Sequence, residues 1–565
     1  MPDANPNPNP NPNPILDRPD TFEYDDIDPA TRFLRANPDL RYHSDRNSDL
    51  HDLDFPRQNR PYARSITLSI AAPIYTSQGI SAESVEDVLP LVVRFYPGYQ
   101  ETIYGAEGVI VSKRTYAPLG SNDDRSVLWQ LECQAEGDRL LQIAVDIDWG
   151  EPLAQRMVDG LLVAQSLPGQ AKGVHEQQNA ESTRVFGAAE GRPDRVSFPD
   201  ASRAHLLYHV LVAGTVDLPL ILTVSEVGEQ MAWNGFLVQR DIERAFNLTQ
   251  NAWQRITQRG RLWTPDPALN WAADQAKQNA ARQLVRLRGG DAPPDGLLAS
   301  VPALVEAFDL CEPARSRSLL DHLRRLAEKD GGQLPPAFPP FYVESQTDAA
   351  PALACSNAAY LTALAGHLRR QPHGFSLAEH YPAARLCAEA LIRARREMDD
   401  QPTALADFAA ALHAAAQLAR LSGDGVNDAR WEGEAEYAIG DWGAGIGDWE
   451  DPRSSLQSPV PNLYWTGHTL TLDRAWPDDW GWWALVDLPV GDGGVTLLWD
   501  GETLHVARTS GPSGKADTTQ PLAVEFAGTV RRHSRLQVLG AGEDDFDLRF
   551  RGDGGWVFRP RFLNS

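Results

Sequence analysis

The chain has 565 residues, of which 42 % are hydrophobic, and a formal charge of −25 at pH 7. A chain of this length is expected to form about two to four domains, because a single core does not grow that large. The strong negative charge repels the phosphates of nucleic acids and the anionic heads of lipids, so we expect neither as a partner. Neutral sugars are compatible with this charge, although solubility alone also explains it.

The cysteines give no sign of a disulfide framework or a metal site. Four of them are scattered along the chain, without the CxxC or histidine-rich spacing of metal ligands. They are typical of small buried residues in a reducing compartment. No apolar run reaches the roughly 18 residues of a membrane span, and the N-terminus lacks the basic and apolar regions of a signal peptide. We therefore expect a cytoplasmic protein without a cofactor or metal.

Residues 1–59 are predicted to be a disordered tail and a polar lead-in. Residues 2–14 are dominated by an Asn-Pro repeat, in which proline removes backbone donors and nothing can pack into a core. From Ile15 to Asn59 the composition stays polar and acidic. This stretch is expected to become ordered at most through contact with the rest of the chain.

A β-rich region follows over residues 60–246. Short runs of Val, Ile, Leu, Tyr and Trp are separated by clusters of Gly, Pro, Asn and Asp. So many strands without helical periods between them predict a β-sandwich domain. The end of this region, Ala232–Phe246, has a helical pattern and leads into a predicted linker over residues 247–262.

The hydrophobic period changes to that of α-helices at Trp263, and residues 263–440 are predicted to form an α-hairpin domain. Thr264 is a possible cap of the first helix, and Gly289-Gly290 is its stop. Alanine-rich faces allow such helices to pack closely as antiparallel hairpins. The six predicted helices that follow the first are Leu297–Leu310, Pro313–Lys329, Asp348–Arg370, Leu377–Met398, Thr403–Leu421 and Asn427–Ala438.

Two further regions complete the predicted organisation. Residues 441–459 are rich in Gly, Asp and Trp and are predicted to form a loop. Over residues 460–565, short alternating runs with turn signals such as Asp500-Gly501 predict a small β domain. The predicted fold class is a multidomain α and β protein, with an N-terminal β-sandwich, a central α-hairpin domain and a C-terminal β domain.

The segment Phe338–Leu368 is the most informative for function. A proline-rich loop carries Tyr342 and Glu344, and Asp348 then opens a long helix rich in Ala and Leu. An aspartate at this place is a good N-cap, because its side-chain oxygen accepts from the free amides of the first turn.

Three phrases and one tyrosine carry a family resemblance. They are Thr264-Pro-Asp-Pro-Ala-Leu-Asn-Trp-Ala, Ser345-Gln-Thr-Asp-Ala-Ala-Pro, His380-Tyr-Pro-Ala-Ala-Arg and Tyr360. Together with the order β-sandwich, α-hairpins and β cap, they resemble the six-hairpin (α/α-toroid) glycosidase-like superfamily, in particular its glycogen-debranching and α-glucosidase-like group. The resemblance implies a toroid that is shortened here, since the predicted helices do not complete six hairpins. It also implies α-glucan-like sugars as substrates and a sugar pocket at the loop that precedes the helix at Asp348.

Hydrolysis of a glycosidic bond needs two carboxyl groups on opposite sides of the bond. Glu344 is the predicted acid, because its aromatic and aliphatic neighbours provide apolar surroundings that raise the pKa of a carboxyl group. Glu436 is the predicted catalytic partner, from a set of base candidates that also includes Glu434 and Asp441. The same three residues are also compatible with a solvated helix face.

Sugar contacts are predicted for Tyr342, Asp348, Trp263, Trp442 and Trp449. Aromatic faces pack against the apolar face of a pyranose ring, and the resemblance implies that the aspartate accepts from sugar hydroxyls, unless it is only an N-cap. The predicted function is a carbohydrate-active protein that hydrolyses α-glucan-like sugars, with an oligo- or polysaccharide as its partner. The alternative is a degenerate relative that binds sugar or serves as a scaffold without hydrolysis, so whether the protein is an enzyme stays open.

Overall fold

A computed structural model describes residues 20–55, 60–76, 79–120, 125–167, 182–287, 290–293, 297–338, 349–371, 376–395, 402–443, 462–466, 469–473, 482–490, 493–499, 503–509, 523–527, 535–539, 546–550 and 556–560. The chain divides into two compact units, Met1–Trp253 and Gln254–Ser565. The Asn-Pro tail predicted over residues 2–14 lies outside the described residues. Within those ranges, no helix is long and apolar enough to cross a bilayer.

The first unit is built on one antiparallel sheet, to which the described residues contribute fifteen strands. Its centre is a pair of 23-residue strands, β10 and β15, which pair along almost their whole length. The strands are β1 (Asp20–Glu23), β2 (Phe33–Ala36), β3 (Arg41–Ser44), β4 (Leu50–Phe55), β5 (Arg60–Thr76), β6 (Gly79–Asp87), β7 (Leu89–Phe95), β8 (Gln100–Ala106), β9 (Val109–Tyr116), β10 (Ser126–Asp148), β11 (Leu153–Val158), β12 (Leu161–Ser166), β13 (Thr183–Ala188), β14 (Arg195–Asp200) and β15 (Arg203–Ser225).

Alternation along the strands directs apolar side chains into the core of this unit. Trp129, Trp149, Tyr62 and Phe186 are among the largest side chains that are fully buried. A bulge between Ala135 and Asp138 divides β10, which pairs with β9 before the bulge and with β5 after it. The predicted order of an N-terminal antiparallel β region followed by helices is confirmed.

Residues 20–55, for which order was expected at most through contact with the rest of the chain, belong to the sheet of the first unit. Four strands, β1 to β4, lie in this stretch, and Leu40, Leu50 and Leu53 are fully buried in the core of the unit. Composition misled the prediction, because many of the polar side chains in this stretch are themselves buried and hydrogen-bonded.

The turn between β3 and β4 is held against β8 and β9 by buried polar contacts. Lys113 is fully buried, and its ammonium lies 2.5 Å from the Asp49 carboxylate. The Gln100 amide donates to the Asp45 carbonyl at 2.6 Å, and the Tyr104 hydroxyl donates to the Asn47 carbonyl at 2.7 Å. Burial raises the pKa of Asp49, although the ammonium opposes this shift. The position of this hairpin therefore depends on an ion pair that is shielded from water.

Two helices follow the sheet: α1 (Glu229–Gln239) and α2 (Ile242–Gln258). The second helix covers most of the predicted linker over residues 247–262, and the last two linker residues lie in the strand β16 (Arg261–Trp263). Phe246 of α2 contacts the rings of Tyr99 and Tyr116. These contacts pack the start of α2 against the first unit, so the residues predicted as a linker continue a packed helix.

The second unit contains the seven helices that were predicted after Trp263. They are α3 (Pro267–Arg282), α4 (Val301–Cys311), α5 (Pro313–Lys329), α6 (Ala349–Arg370), α7 (Leu377–Arg395), α8 (Pro402–Ser422) and α9 (Gly425–Gly443). Asp266 caps α3 by accepting from the amides of Ala268 and Leu269. Lys277 of α3 donates to the carbonyls of Thr257 and Arg259 at the end of α2, where a cation stabilises the helix dipole.

The helices from α4 to α9 form two layers. One layer is α4, α6 and α8, in which α6 contacts both others, and α5 contacts α7 in the other layer. Asp309 near the end of α4 bonds His367 and Arg370 near the end of α6, so α4 and α6 run in the same direction. Successive helices are therefore antiparallel, as in stacked α-hairpins.

The other strands that the structure describes in the second unit form two sheets of five described strands each, β16-β21-β22-β23-β25 and β19-β20-β24-β27-β26, and a hairpin of β17 and β18. Because β16 precedes the helices, the first of these sheets is not formed only by residues after 460. The strands are β17 (Val285–Leu287), β18 (Gly290–Ala292), β19 (Asn462–Thr466), β20 (Thr469–Asp473), β21 (Trp483–Val490), β22 (Gly493–Trp499), β23 (Thr503–Thr509), β24 (Ala523–Ala527), β25 (Arg535–Leu539), β26 (Phe546–Phe550) and β27 (Trp556–Pro560).

Lys113→Met is expected to destabilise the first unit by about 3–5 kcal/mol, because it leaves a buried carboxylate without its counter-charge. Arg64→Met is the control: its guanidinium is largely exposed and lies 3.6 Å from Asp148, so the loss is expected to stay below about 1 kcal/mol. Urea unfolding of the full chain, followed by tryptophan fluorescence, measures both effects. Equal losses in the two variants would contradict the assigned role of the buried pair.

Candidate functional site

The connection between α5 and α6 is fixed by one buried side chain of α6. The Asn357 amide donates to the carbonyls of Gly332 and Cys387 at 2.9 and 3.2 Å, and its oxygen accepts from the Leu334 amide at 3.2 Å. Because all three contacts involve backbone atoms, Asn357 ties the connection to both α6 and α7.

The same connection is fixed again just before the predicted pocket loop. Phe338 is fully buried, and its ring lies 4.8 Å from that of His322. Ala337 bridges to Leu297, and the Pro336 carbonyl accepts from Leu298. The described chain then resumes at Ala349, the first residue of α6. The described chain is therefore fixed directly before residue 339, where the predicted pocket loop begins.

The start of α6 lies at the same end of the helix layers as the end of α9. Asp407 in the first turns of α8 contributes to the electrostatic environment of Cys355 in the first turns of α6, so the two helices start side by side. Only two residues separate α8 from α9, so α9 returns antiparallel and finishes at this end. We refer to this region as the α6–α9 end.

Arg395, the last residue of α7, joins three helices at the α6–α9 end. Its guanidinium lies 5.3 Å from the Phe408 ring of α8, 4.9 Å from the Tyr437 ring and 3.8 Å from the Glu434 carboxylate of α9. Partial burial raises the pKa of Asp407, the residue before Phe408. The described part of this end thus contains acidic side chains, a cation and an exposed aromatic ring.

The predicted site residues have different positions in the described chain. Glu436 is an exposed residue of α9, and Trp442 belongs to its last turn, so both lie at the α6–α9 end. Trp263 is a half-buried residue of β16, with the Arg261 guanidinium 5.6 Å from its ring. The predicted residues that lie outside the described residues are Tyr342, Glu344, Asp348 and Trp449.

Sequence reasoning missed two residues that shape this end. Asn357 is a polar residue inside an alanine-rich helix, and its burial is the signal that could have identified it as an anchor. Arg395 has no such signal, because a basic residue in the last turn of a helix is ordinary.

Two ionisable clusters support α6 between its neighbours. The Asp309 carboxylate accepts from His367 at 2.6 Å and from Arg370 at 2.9 Å. Burial acts to raise the pKa of Asp309, but these two partners outweigh it and hold the pKa below its usual value. In the second cluster, His380 of α7 contacts the Tyr360 hydroxyl at 3.3 Å and the Asp321 carboxylate at 3.2 Å.

The described residues hold no group of three or more His, Cys, Asp or Glu side chains arranged to bind a metal ion. What they bring together at the α6–α9 end is suited to neutral polar ligands with an apolar face, because it combines hydrogen-bonding carboxylates with an exposed tyrosine ring.

Comparison with known proteins gives the fold. No protein-family model matches the sequence, and no curated protein matches it significantly. A solved structure described as "Putative kojibiose phosphorylase from human microbiome" is similar over 92 % of this chain and 96 % of its own, with a TM-score of 0.51 and 8 % identity. Such identity shows the fold alone, and the predicted likeness to the six-hairpin glycosidase-like superfamily is confirmed at that level.

Two solved mannosidase structures are less similar to this chain. A family GH92 inverting mannosidase from Bacteroides thetaiotaomicron has a TM-score of 0.43 and 11 % identity, over 71 % of this chain and 61 % of its own. A family GH92 α-mannosidase from the same organism has a TM-score of 0.38 and 12 % identity, over 71 % and 62 %. TM-scores below 0.5 do not establish a shared fold, so the fold assignment rests on the phosphorylase.

Gly332→Ala is expected to weaken the anchor of the pocket loop. Gly332 has φ +86, and a Cβ atom there would lie 2.3 Å from the Leu386 carbonyl oxygen of α7. Gly331 is a matched control, because it has φ +61 but open space around the added atom. Both alanines strain the backbone, but Gly332→Ala should cost about 2–3 kcal/mol more. Urea unfolding of the two variants checks this, and similar losses would show that the contact with α7 is unimportant.

His380 predicts acid sensitivity of the helical unit. Burial lowers the pKa of His380 from 6.5 to about 4, so the unfolded chain binds a proton more readily than the folded chain between these values. Stability is therefore lost as pH falls from 6.5 towards 4, by on the order of 2 kcal/mol. His380→Gln is less stable at pH 7 because it disrupts the contacts with Tyr360 and Asp321, but it should lose less on acidification. Urea midpoints across this range test this, and parallel pH profiles for variant and wild type would refute it.

Proposed function

We propose that the protein binds and cleaves an α-linked oligosaccharide at the α6–α9 end. Glu344 is the proposed acid, and Glu436 is the proposed second carboxylate. The proposed sugar contacts there are Tyr342, Asp348, Trp442 and Trp449. Trp263 is not among them, because Gly260, just before β16, packs against the Leu310 carbonyl at the end of α4, whereas α6 begins at the other end of these helices. The observation that carries the proposal is the packing of the helices, since the start of α6 and the last turns of α9 belong to one end of the layers.

The contacts of α9 favour Glu436 over Glu434 as the second carboxylate. Glu434 lies 3.8 Å from the Arg395 guanidinium, so its carboxylate is already occupied by an ion pair. Glu436 is exposed and has no ion-pair partner among the described residues. It is therefore the more accessible of the two for a water molecule beside a bound sugar.

The proposed chemistry is an inverting displacement with two carboxyl groups about 6.5–9.5 Å apart. Glu344 gives its proton to the bridging oxygen as the bond from that oxygen to the anomeric carbon breaks. The second carboxylate removes a proton from water while the water oxygen bonds to the anomeric carbon. Trp442 or Trp449 stacks on the apolar face of the sugar and orients it.

The kojibiose phosphorylase of similar fold supports a glycoside as the substrate and raises phosphate as a second possible nucleophile. With phosphate as the attacking group, a sugar 1-phosphate replaces the free reducing sugar as the product. Phosphate carries its own negative charge, so this route needs the acid but not a base to remove a proton from water.

We further propose that α3 to α9 are an incomplete α/α toroid and that the strands after residue 460 are its small β domain. In this proposal the first domain extends the predicted 60–246 towards the N-terminus to include β1 to β4, the helical domain stays at 263–440, and the last domain, predicted at 460–565, also takes in β16. The shortened ring is the observation that favours the second candidate function, a sugar-binding or scaffold protein without turnover, because seven helices in the described part of the chain do not complete six hairpins.

The assay that separates these functions uses a panel of α-linked di- and oligosaccharides, with and without phosphate. We expect product release by wild type and a loss of about 10²–10⁴-fold in kcat for Glu344→Gln, because general acid catalysis contributes that much. Glu436→Gln should lose hydrolysis to a similar extent, whereas the matched control Glu434→Gln should retain it. If Glu436→Gln retains activity only with phosphate, the phosphate route is supported.

Calorimetry with the same sugars distinguishes the second candidate. Binding without turnover in wild type, with or without phosphate, would refute the enzyme and support the sugar-binding protein. Neither binding nor turnover across the panel would contradict both functions.

A further inference from the structure

Arg35 of β2 is a buried cation in the first unit, with only 7 % of its surface exposed. Its Nη1 donates to the Tyr96 carbonyl at a long 3.5 Å, and its Nε has no hydrogen-bond acceptor in the described part of the chain. The guanidinium lies 5.4 Å from the centre of the Phe95 ring. A cation–π contact of this kind is weaker than the cost of removing a guanidinium from water.

The other buried cations of the described chain each have a carboxylate within 4.0 Å. Lys113 is paired with Asp49, Arg184 with Glu151, and Lys277 and Arg261 with Asp274. Of the five buried lysines and arginines among the described residues, Arg35 differs in having no such partner. Burial lowers the pKa of Arg35 to about 10, so the side chain is still positively charged near neutral pH.

A second polar group lies beside this cation. Tyr42 of β3 is the direct cross-strand partner of Arg35, and it is fully buried. Its hydroxyl has no hydrogen-bond partner among the residues that the structure describes. Buried hydroxyl groups and guanidinium nitrogens are normally satisfied, and leaving the Tyr42 hydroxyl and the Arg35 Nε without partners is costly. The positively charged guanidinium of Arg35 and the hydroxyl of Tyr42 are neighbouring hydrogen-bond donors. Together they are suited to one small acceptor that carries a negative charge.

We infer that Arg35 and Tyr42 form a binding site for a small oxyanion, such as a phosphate or a carboxylate. The flat guanidinium presents its donors in one plane, which matches the oxygens of either group. The tyrosine hydroxyl donates a further hydrogen bond to the same anion. The anion then supplies the counter-charge that carboxylates supply to the other four buried cations. This site lies in the first unit and does not depend on the proposed sugar site.

Thermal unfolding of the full chain tests the site. The protein is heated in a buffer without oxyanions and then with potassium phosphate, glucose 1-phosphate or potassium acetate, each against potassium chloride at equal ionic strength. An anion that binds only the folded state raises the unfolding midpoint, by about 5–10 °C at a hundredfold excess over Kd. A larger shift with glucose 1-phosphate identifies a sugar phosphate, whereas a larger shift with acetate identifies a carboxylate, and either result supports the site.

Three variants locate the effect. Arg35→Met should abolish the shift, and Tyr42→Phe should reduce it, because the phenylalanine removes only the hydroxyl. Arg41→Met is the matched control, because this arginine is adjacent to Tyr42 in the same strand but already has Asp54 at 2.8 Å. The control should keep the full shift.

Two results would overturn the inference. One is a wild-type shift no larger with any oxyanion than with chloride, which would be an effect of salt alone. The other is a shift that persists in Arg35→Met. If Arg35→Met does not fold, Tyr42→Phe decides, and an unchanged shift in that variant refutes the site.

Discussion

The contact on which the proposed site depends is the set of hydrogen bonds made by Asn357. This one amide binds the backbone of the α5–α6 connection and of α7 while sitting inside α6. It fixes where the chain enters the loop over residues 339–348, and the buried ring of Phe338 fixes it again. An amide suits this task because it donates and accepts at once, so each buried backbone group it meets is satisfied. Without these hydrogen bonds, the backbone of the long α5–α6 connection would not be fixed at the point where the predicted pocket loop begins.

Buried charge is used in the same manner in both units. Lys113 with Asp49 fixes a hairpin of the first unit, and Lys277 with Asp274 fixes the end of α2 in the second unit. Breaking such pairs is costly because the remaining charge stays buried. These ion pairs fix the positions of the elements that they join more than they raise the free energy of unfolding. A strongly acidic chain can therefore fix how its elements pack without a larger apolar core. Arg35 departs from this pattern, and that departure is the reason for assigning it an external partner.

The sequence predicted the helices well and the lead-in badly, for physical reasons. Seven helices after Trp263 follow from a strong apolar period and clear stops, and their ends differ from the prediction by only a few residues at most positions. The strands of residues 20–55 could not be predicted, because buried polar residues such as Asn37 and Ser44 are satisfied by Pro118 and Gln100, which are distant in sequence and which composition does not reveal. The same limit applies to the site: Glu436 and Trp442 are placed at the α6–α9 end by helix packing, whereas Arg395 is recognised only from its contacts.

The central claim is that sugar binds at the α6–α9 end, and hydrogen–deuterium exchange of the full chain tests it most directly. Exchange is measured with and without a saturating sugar that binds in calorimetry. We predict slower exchange in peptides that cover residues 339–358 and 430–443, with little change in peptides from residues 20–253. Protection confined to the first unit or to the strands after residue 460, with no change at the start of α6 or the end of α9, would contradict the account.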